Sequence, residues 1–305
     1  MSDRSKPFDA IVVGGSYAGM SAALQLARAR RNVLVIDAGE CRNRRARHSH
    51  GLIGRDGDTP AQISEQARSQ LMAYPTVHWR EARVESGTGS QEDTFEVTTT
   101  DGARFSARRL VLAYGVRDEL PTIDGLAERW GRSVFHCPYC HGYELADQRI
   151  GILGEPPHGA AHLAQMLPDW GKVTLFGHDA SFAPETALGR RLAERGVHIE
   201  RSPVLHVEGH ATVALADGRR VEMDGLFVST VTRPASPLAV QLGCEFESGT
   251  LGDCLTTDAA KQTTVPGVFA CGDVARMTGS VALAIGEGAL AGVATHQSLL
   301  DLLDD

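Results

Sequence analysis

This sequence has no excess of positive charge, no long apolar run, and no paired cysteines outside one short stretch. Its 30 Lys and Arg are outnumbered by 38 Asp and Glu, for a formal net charge of −8. Binding nucleic acid requires a basic face to meet phosphate, so this balance excludes that class of partner. No apolar segment approaches the length of a membrane span, and Met1 to Ala10 carries no apolar leader core. The expectation is a soluble, cytoplasmic protein with no membrane partner. Six cysteines in 305 residues do not make a structural disulfide framework. Cys41, Cys244, Cys254 and Cys271 stand alone and read as free thiols.

What is present is an ordinary globular composition, 42% hydrophobic and 22% charged, enough for a real core. The length suits two domains or one large α/β domain. Gly is high at 33, which fits several glycine-rich phosphate turns.

Phe8 to Val13 is a short apolar run, followed by Gly14-Gly15-Ser16-Tyr17-Ala18-Gly19. A small-residue helix to Arg30 and a strand from Asn32 to Ile36 come next, ending at Asp37. Strand, glycine turn, helix, strand and acid is the order of a dinucleotide-binding unit. The turn lets backbone N–H groups and the helix N-terminus face a pyrophosphate, and the acid stands where it would hold a ribose hydroxyl. Ser16 replaces the second of the three glycines. The stretch Cys41 to Gly51 is rich in arginine: either a solvated face, or cations that neutralise a pyrophosphate or an anionic substrate. His48 and His50 within it read as polar loop residues.

Asp58-Thr59-Pro60 opens a helix to about Tyr74, with proline at a permitted first-turn position. An Asp101-Gly102 hairpin follows, then a buried strand from Leu110 to Ala113 ending in Tyr114-Gly115. A second strand–turn–helix starts at Arg149, with Gly154 to Gly159 as its turn and Lys172 to Phe176 as its next strand. Another hairpin turn falls at Asp217-Gly218. The chain thus holds two loosely repeated units, each a dinucleotide-type βαβ and a β-meander, with the second nested in the first. The segment Thr264 to Asp273 reads as the return to the first domain, and Ser280 to Leu303 as one long helix rich in Ala and Gly.

The remaining two cysteines lie in Phe135-His136-Cys137-Pro138-Tyr139-Cys140-His141-Gly142-Tyr143-Glu144. Thiols at this spacing close a small disulfide ring, bind a metal, or serve as buried small hydrophobes. Adjacent histidines are a poor match to the paired C-x-x-C spacing of structural zinc, and no metal is expected.

Taken together, these motifs resemble the low-molecular-weight thioredoxin reductase family of flavoproteins, collinearly and over almost the whole length. Gly14 to Gly19 resembles its FAD turn, and Leu112 to Gly115 its A-T-G crossover. Gly131 to Cys140 resembles the approach to its redox disulfide, and Pro266 to Asp273 its second FAD motif. The C-P-Y-C tetrad also occurs in glutaredoxins, but nothing else here looks like a thioredoxin fold. The resemblance implies an α/β protein of two nested dinucleotide-binding, Rossmann-like domains. Residues 1–116 with 246–305 would bind FAD, and 117–245 would form an inserted NAD(P)-binding-like domain carrying the redox pair. It further implies a homodimer, with dithiol–disulfide chemistry at Cys137 and Cys140. The expected flavin contacts are Gly14, Ser16, Tyr17, Ala18, Gly19, Asp37, Gly115, Gly272, Asp273, and Val281 at the start of the last helix.

Four departures from the family pattern bear on function. Pro156 and Pro157 stand in the second glycine turn and have no N–H to give a phosphate. Gly177-His178-Asp179-Ala180-Ser181 offers no arginine for a 2′-phosphate. Ser229 to Pro234 lacks the glycine that meets nicotinamide. His141 replaces the family's acid after the second cysteine, and a histidine titrating near neutrality takes a proton as readily as it gives one. With this variant the chain looks like the branch of flavin dithiol oxidases that close disulfides in small natural products such as holomycin and gliotoxin. The implied partners are a small-molecule dithiol and O2, with His141 and His136 moving protons. The alternatives are an NAD(P)H-dependent thioredoxin or disulfide reductase, and a flavin-bearing redox sensor.

Overall fold

The computed structural model describes residues 6–300, arranged in two compact units. The first holds the chain up to Arg44, Pro60–Arg117, and the chain from Thr232 onward; the second holds Arg45–Thr59 and Asp118–Val231. This division departs from the expected 117–245 insertion at two places. The second crossing falls at Thr232, because Val231–Pro234 pairs with Gly252–Leu255, and that strand forms a hairpin with Phe246–Gly249. Residues 45–59 cluster with the second unit although both flanks belong to the first.

In the first unit, Phe8–Val13 lies between Val33–Asp37 and Arg104–Leu112, all parallel, with Val77–Glu81 beyond Val33–Asp37. Val268–Ala270 pairs parallel with Arg104–Leu112, which brings the late motif beside the first one. Phe95–Thr99 and Val84–Gly89 extend the sheet as an antiparallel meander. The central strands are apolar without alternation because both faces are covered; Ile11, Val12, Leu110 and Val111 are fully buried. Helix α1 (Tyr17–Arg28) ends two residues short of the expected Arg30, and α2 (Pro60–Met72) two short of Tyr74.

The second unit repeats the plan. Its parallel sheet runs His198–Glu200, Lys172–Phe176, Arg149–Leu153, Gly225–Phe227, Val134–Phe135. An antiparallel set of Val204–Glu208, Thr212–Leu215 and Arg220–Glu222 accompanies it. Its helices are the short α3 (Pro138–His141), α4 (Pro157–Met166) and α5 (Ala187–Glu194). Back in the first unit, α6 (Leu238–Leu242) and α7 (Val281–Ser298) complete the chain. α7 stops before the expected Leu303, whose neighbourhood from 301 on lies outside the described residues. No described helix is long and apolar enough to cross a membrane.

Candidate active site

The candidate residues fall into two groups, one in each unit. In the first unit three sequence-distant motifs converge. Gly14 has φ +103°, and a Cβ there would lie 2.4 Å from the Ala113 carbonyl oxygen, so the first turn sits directly on the Tyr114–Gly115 crossover. Gly19 passes so close to the Gly14 carbonyl that a Cβ would meet its oxygen at 1.8 Å, which only glycine avoids. A Cβ at Gly272 would lie 2.8 Å from Ala18 Cβ, so the late motif lies against the first turn of α1.

Ser16 is the N-cap of α1 but makes no side-chain cap hydrogen bond, so its hydroxyl leaves the first-turn amides to another acceptor. Asp37 Oδ1 accepts from the Gly15 N–H at 2.9 Å and Oδ2 from the Gly39 N–H at 3.2 Å. That fixes the acid at the end of its strand. The Tyr17 hydroxyl and Asn43 exchange hydrogen bonds at 3.2–3.3 Å. Arg42, from the arginine-rich stretch, donates to Asp273 Oδ2 at 2.8 Å, 231 residues away in sequence. Val281 opens α7, whose N-cap Ser280 accepts from the Leu283 N–H.

In the second unit, Val134–Phe135 ends and the chain turns into α3 with Cys137 as its N-cap. The redox pair therefore lies at the carboxyl end of a parallel strand, where α/β sheets hold their ligands. Cys137 and Cys140 form a disulfide, with Cα atoms 5.3 Å apart. Aromatic contacts hold the flanking rings: His136 stacks on Trp130 with centroids 5.6 Å apart, and His141 on Phe135 at 4.2 Å. Tyr139 meets Trp170 edge-on, while Tyr139 and Tyr143 are largely exposed. The other four cysteines are free; Cys244, Cys254 and Cys271 are buried and Cys41 is half-buried.

Two expectations about histidine change. His141 does not titrate near neutrality: burial, with the neighbouring charges of His136 and His50 adding, pushes it down to about 4. It is a neutral imidazole in the oxidised protein. His50 is more than a loop residue, since its Nε2 lies 3.2 Å from Glu144 Oε1 and its Nδ1 3.6 Å from Asp56 Oδ2. It ties the 45–59 segment to the turn just after the redox helix. Glu144 ends the cysteine motif, but nothing in the sequence pairs it with a residue 94 positions earlier.

A stability test follows from the buried imidazole. In the unfolded chain His141 titrates near 6.5, so acid protonates it there before it does so in the fold. Its stabilising contribution is complete above pH 6.5 and is lost as pH falls towards 4, by on the order of 3 kcal/mol. Thermal melts at about pH 7.5 and about pH 4.5 should show a smaller acid-induced drop for His141→Gln than for the unaltered protein. An equal drop would mean that the ring is not held neutral.

In the second unit's glycine turn, Pro157 takes the first helical position of α4 and Pro156 its N-cap. The helix tolerates both, yet neither supplies an amide donor. Gly159, the last glycine of the turn, packs α4 close against Ser229: a Cβ there would lie 1.9 Å from Ser229 Oγ. Asp179 Oδ1 caps its own turn through the Ser181 N–H at 2.8 Å, and its carboxyl is held below the usual range by the Ser181 hydroxyl first and by that amide second. One cation escaped the sequence reading. Arg201, just past the neighbouring strand, donates to the Phe182 carbonyl at 3.3 Å.

A family model, pyridine nucleotide-disulphide oxidoreductase, matches residues 8–288. The chain belongs to that family. It is an FAD-dependent thiol–disulfide oxidoreductase with the thioredoxin reductase-like fold. Thioredoxin reductase sirT of Leptosphaeria maculans is 32% identical over 93% of this chain and 92% of its own length. Among solved structures, an oxidoreductase from Agrobacterium tumefaciens is 52% identical, covers 97% of this chain and 99% of its own, and superposes with a TM-score of 0.92. The structure of HlmI is 36% identical, covers 98% and 94%, and gives a TM-score of 0.88.

The residues present fit FAD. The uncapped start of α1, the glycine spacing that admits a pyrophosphate, and the fixed acid at Asp37 are the donors and acceptor that an adenine dinucleotide needs. Arg42 beside Asp273 adds a cation and a hydroxyl acceptor on the same side of the unit.

Proposed function

We propose that this oxidoreductase is a dithiol oxidase, forming a disulfide in a small-molecule natural-product dithiol, with O2 as final acceptor. The observation that carries this reading is the proline pair at the start of α4 in a chain whose redox disulfide and flavin motifs are intact. HlmI and sirT, which match over nearly the whole chain, support it. We take the working form to be a cytoplasmic homodimer, as the family resemblance and the composition imply.

In the proposed mechanism one substrate thiol gives its proton to a neutral imidazole, for which His141 is the candidate and His136 the second. The thiolate attacks Cys137 Sγ; the S–S bond breaks and Cys140 leaves as a thiolate. The new negative charge next to His141 favours the protonated ring, so the acceptor strengthens as exchange begins. The second substrate thiolate then attacks the substrate sulfur bound to Cys137, releasing the cyclic disulfide and a second protein thiolate. Two electrons now reside on the Cys137–Cys140 pair, and the substrate has lost two protons. What FAD supplies, when bound, is a two-electron acceptor for the reduced pair that O2 can reoxidise. Gly14, Ser16, Tyr17, Ala18, Gly19, Asp37, Gly115, Gly272, Asp273 and Val281 are the residues proposed to hold it.

The competing reading is an NAD(P)H-dependent disulfide reductase, and Arg201 near the 177–183 loop is the feature that favours it. Steady-state oxygen consumption with a small dithiol and no nucleotide separates the two. The oxidase should consume O2 and form one peroxide per disulfide. Consumption only on adding NADPH would overturn the oxidase reading.

A further inference from the structure

One buried charge cluster, centred on Glu287, has no part in the proposed thiol exchange. Glu287, in the middle of α7, is 9% exposed. Its Oε1 accepts from Lys261 Nζ at 2.7 Å and from Arg276 Nη1 at 3.1 Å. Its Oε2 accepts from the Gly272 N–H at 3.2 Å. The partners come from three places in the chain: a left-handed turn at Lys261 (φ +66°), the stretch after the second flavin motif, and the motif itself. A carboxylate taken this far from water persists only when it is paired and hydrogen-bonded, and here both oxygens are engaged.

The backbone that Glu287 grips is the one that needs fixing. Gly272 sits at φ +74° and opens the short turn Gly272–Ala275, just after the strand Val268–Ala270. The next residue is Asp273, which meets Arg42 on one side. On the other side, the Gly279 backbone comes so close that a Cβ there would lie 2.0 Å from Asp273 Oδ1. The turn therefore has little freedom to place its acid anywhere else. Arg276 also donates through Nε to the Thr278 carbonyl, so it links Glu287 to the segment that flanks Asp273.

We propose that Glu287 is a positioning residue for flavin binding: through the Gly272 amide and Arg276 it sets the turn that presents Asp273. It touches no reacting atom. Its effect should appear in cofactor affinity and in the flavin's spectrum and potential, not in the exchange chemistry at Cys137 and Cys140. The inference depends on the FAD assignment but not on the direction of electron flow.

The test is FAD titration of apoprotein, followed by flavin fluorescence, for the unaltered chain and two variants. Glu287→Gln keeps the volume and an acceptor for Gly272 but leaves Lys261 and Arg276 without their anion. It should raise the FAD Kd by at least about 10-fold, the equivalent of about 1.4 kcal/mol, and shift the bound-flavin absorbance band. Arg276→Gln, at the half-exposed rim of the cluster, should fold even if the first variant does not, and should weaken binding by roughly 3–10-fold. A folded Glu287→Gln that binds FAD with unchanged Kd and spectrum overturns the proposal. If that variant does not fold, an unchanged Kd in Arg276→Gln does the same. An unaltered chain that binds no FAD would overturn the cofactor assignment, and this inference with it.

Discussion

Cys137→Ser and Cys140→Ser should each abolish dithiol oxidation while the protein stays yellow with bound FAD. The pair stores two electrons as two thiols and returns them by remaking one S–S bond; a serine oxygen at either position can do neither. The loss should be at least about 10³-fold in kcat, and the double variant should be no worse than either single one, as for residues that act as a unit. Neither cysteine is among the residues proposed to hold the cofactor, so FAD content should be unchanged. Oxygen uptake with a small dithiol gives the rate, and the visible spectrum gives the FAD content. Turnover near the unaltered rate in either variant would move the chemistry elsewhere.

Without oxygen, a small dithiol should bleach the flavin readily and NADPH should do so poorly. A phosphate cradle works through convergent amide donors and the start of a helix. Here Pro156 and Pro157 occupy the N-cap and first helical positions, where neither has an N–H to give. Each lost charge-assisted hydrogen bond is worth roughly 1.5–3 kcal/mol. Two such losses weaken binding by at least about two to three orders of magnitude. Asp179, held ionised at its own turn, adds repulsion where a 2′-phosphate would come, against which Arg201 offers one cation. Stopped-flow mixing decides it. Full bleaching by micromolar NADPH within a turnover time would make the chain a reductase.

The glycine turn after the first strand and the acid at Asp37 were legible as structure because each is dictated by local backbone need. A glycine that must pass within contact of a carbonyl, or an acid at a strand end, leaves its mark within a few residues of sequence. Parallel strands were legible for a similar reason, since burial on both faces removes polar alternation. Ends of helices drifted by two residues, because α1 ends where the chain turns left-handed at Arg30 (φ +61°) with no glycine to announce it, and α2 stops at Met72, ahead of the Pro75 that bounds it in the sequence. The crossing at Thr232 was hidden because it falls inside a strand, with no linker composition to announce it. Arg42–Asp273 and His50–Glu144 join residues 231 and 94 positions apart, and no periodicity encodes such pairs. His141 shows the limit most clearly. Its residue type was readable, but the burial that makes it a weak base is a property of the folded surroundings.

The four unpaired cysteines acquire a meaning once the chain is seen as a handler of disulfides. Every substrate and product of such a protein is an electrophile or nucleophile for stray sulfur, and any ionised thiol nearby is a side reaction in waiting. Exchange proceeds through the thiolate, so protection amounts to keeping the proton on. Burial pushes all four thiols up, and Cys271, fully enclosed and facing the Glu287 carboxylate, reaches about 12. At neutral pH roughly one Cys271 in 10⁵ is ionised. Chemoselectivity between six sulfurs of one kind is thus achieved without any recognition element: two at a strand end stay reachable, and four are kept protonated by their surroundings, so the protein can turn over thiols without cross-linking itself.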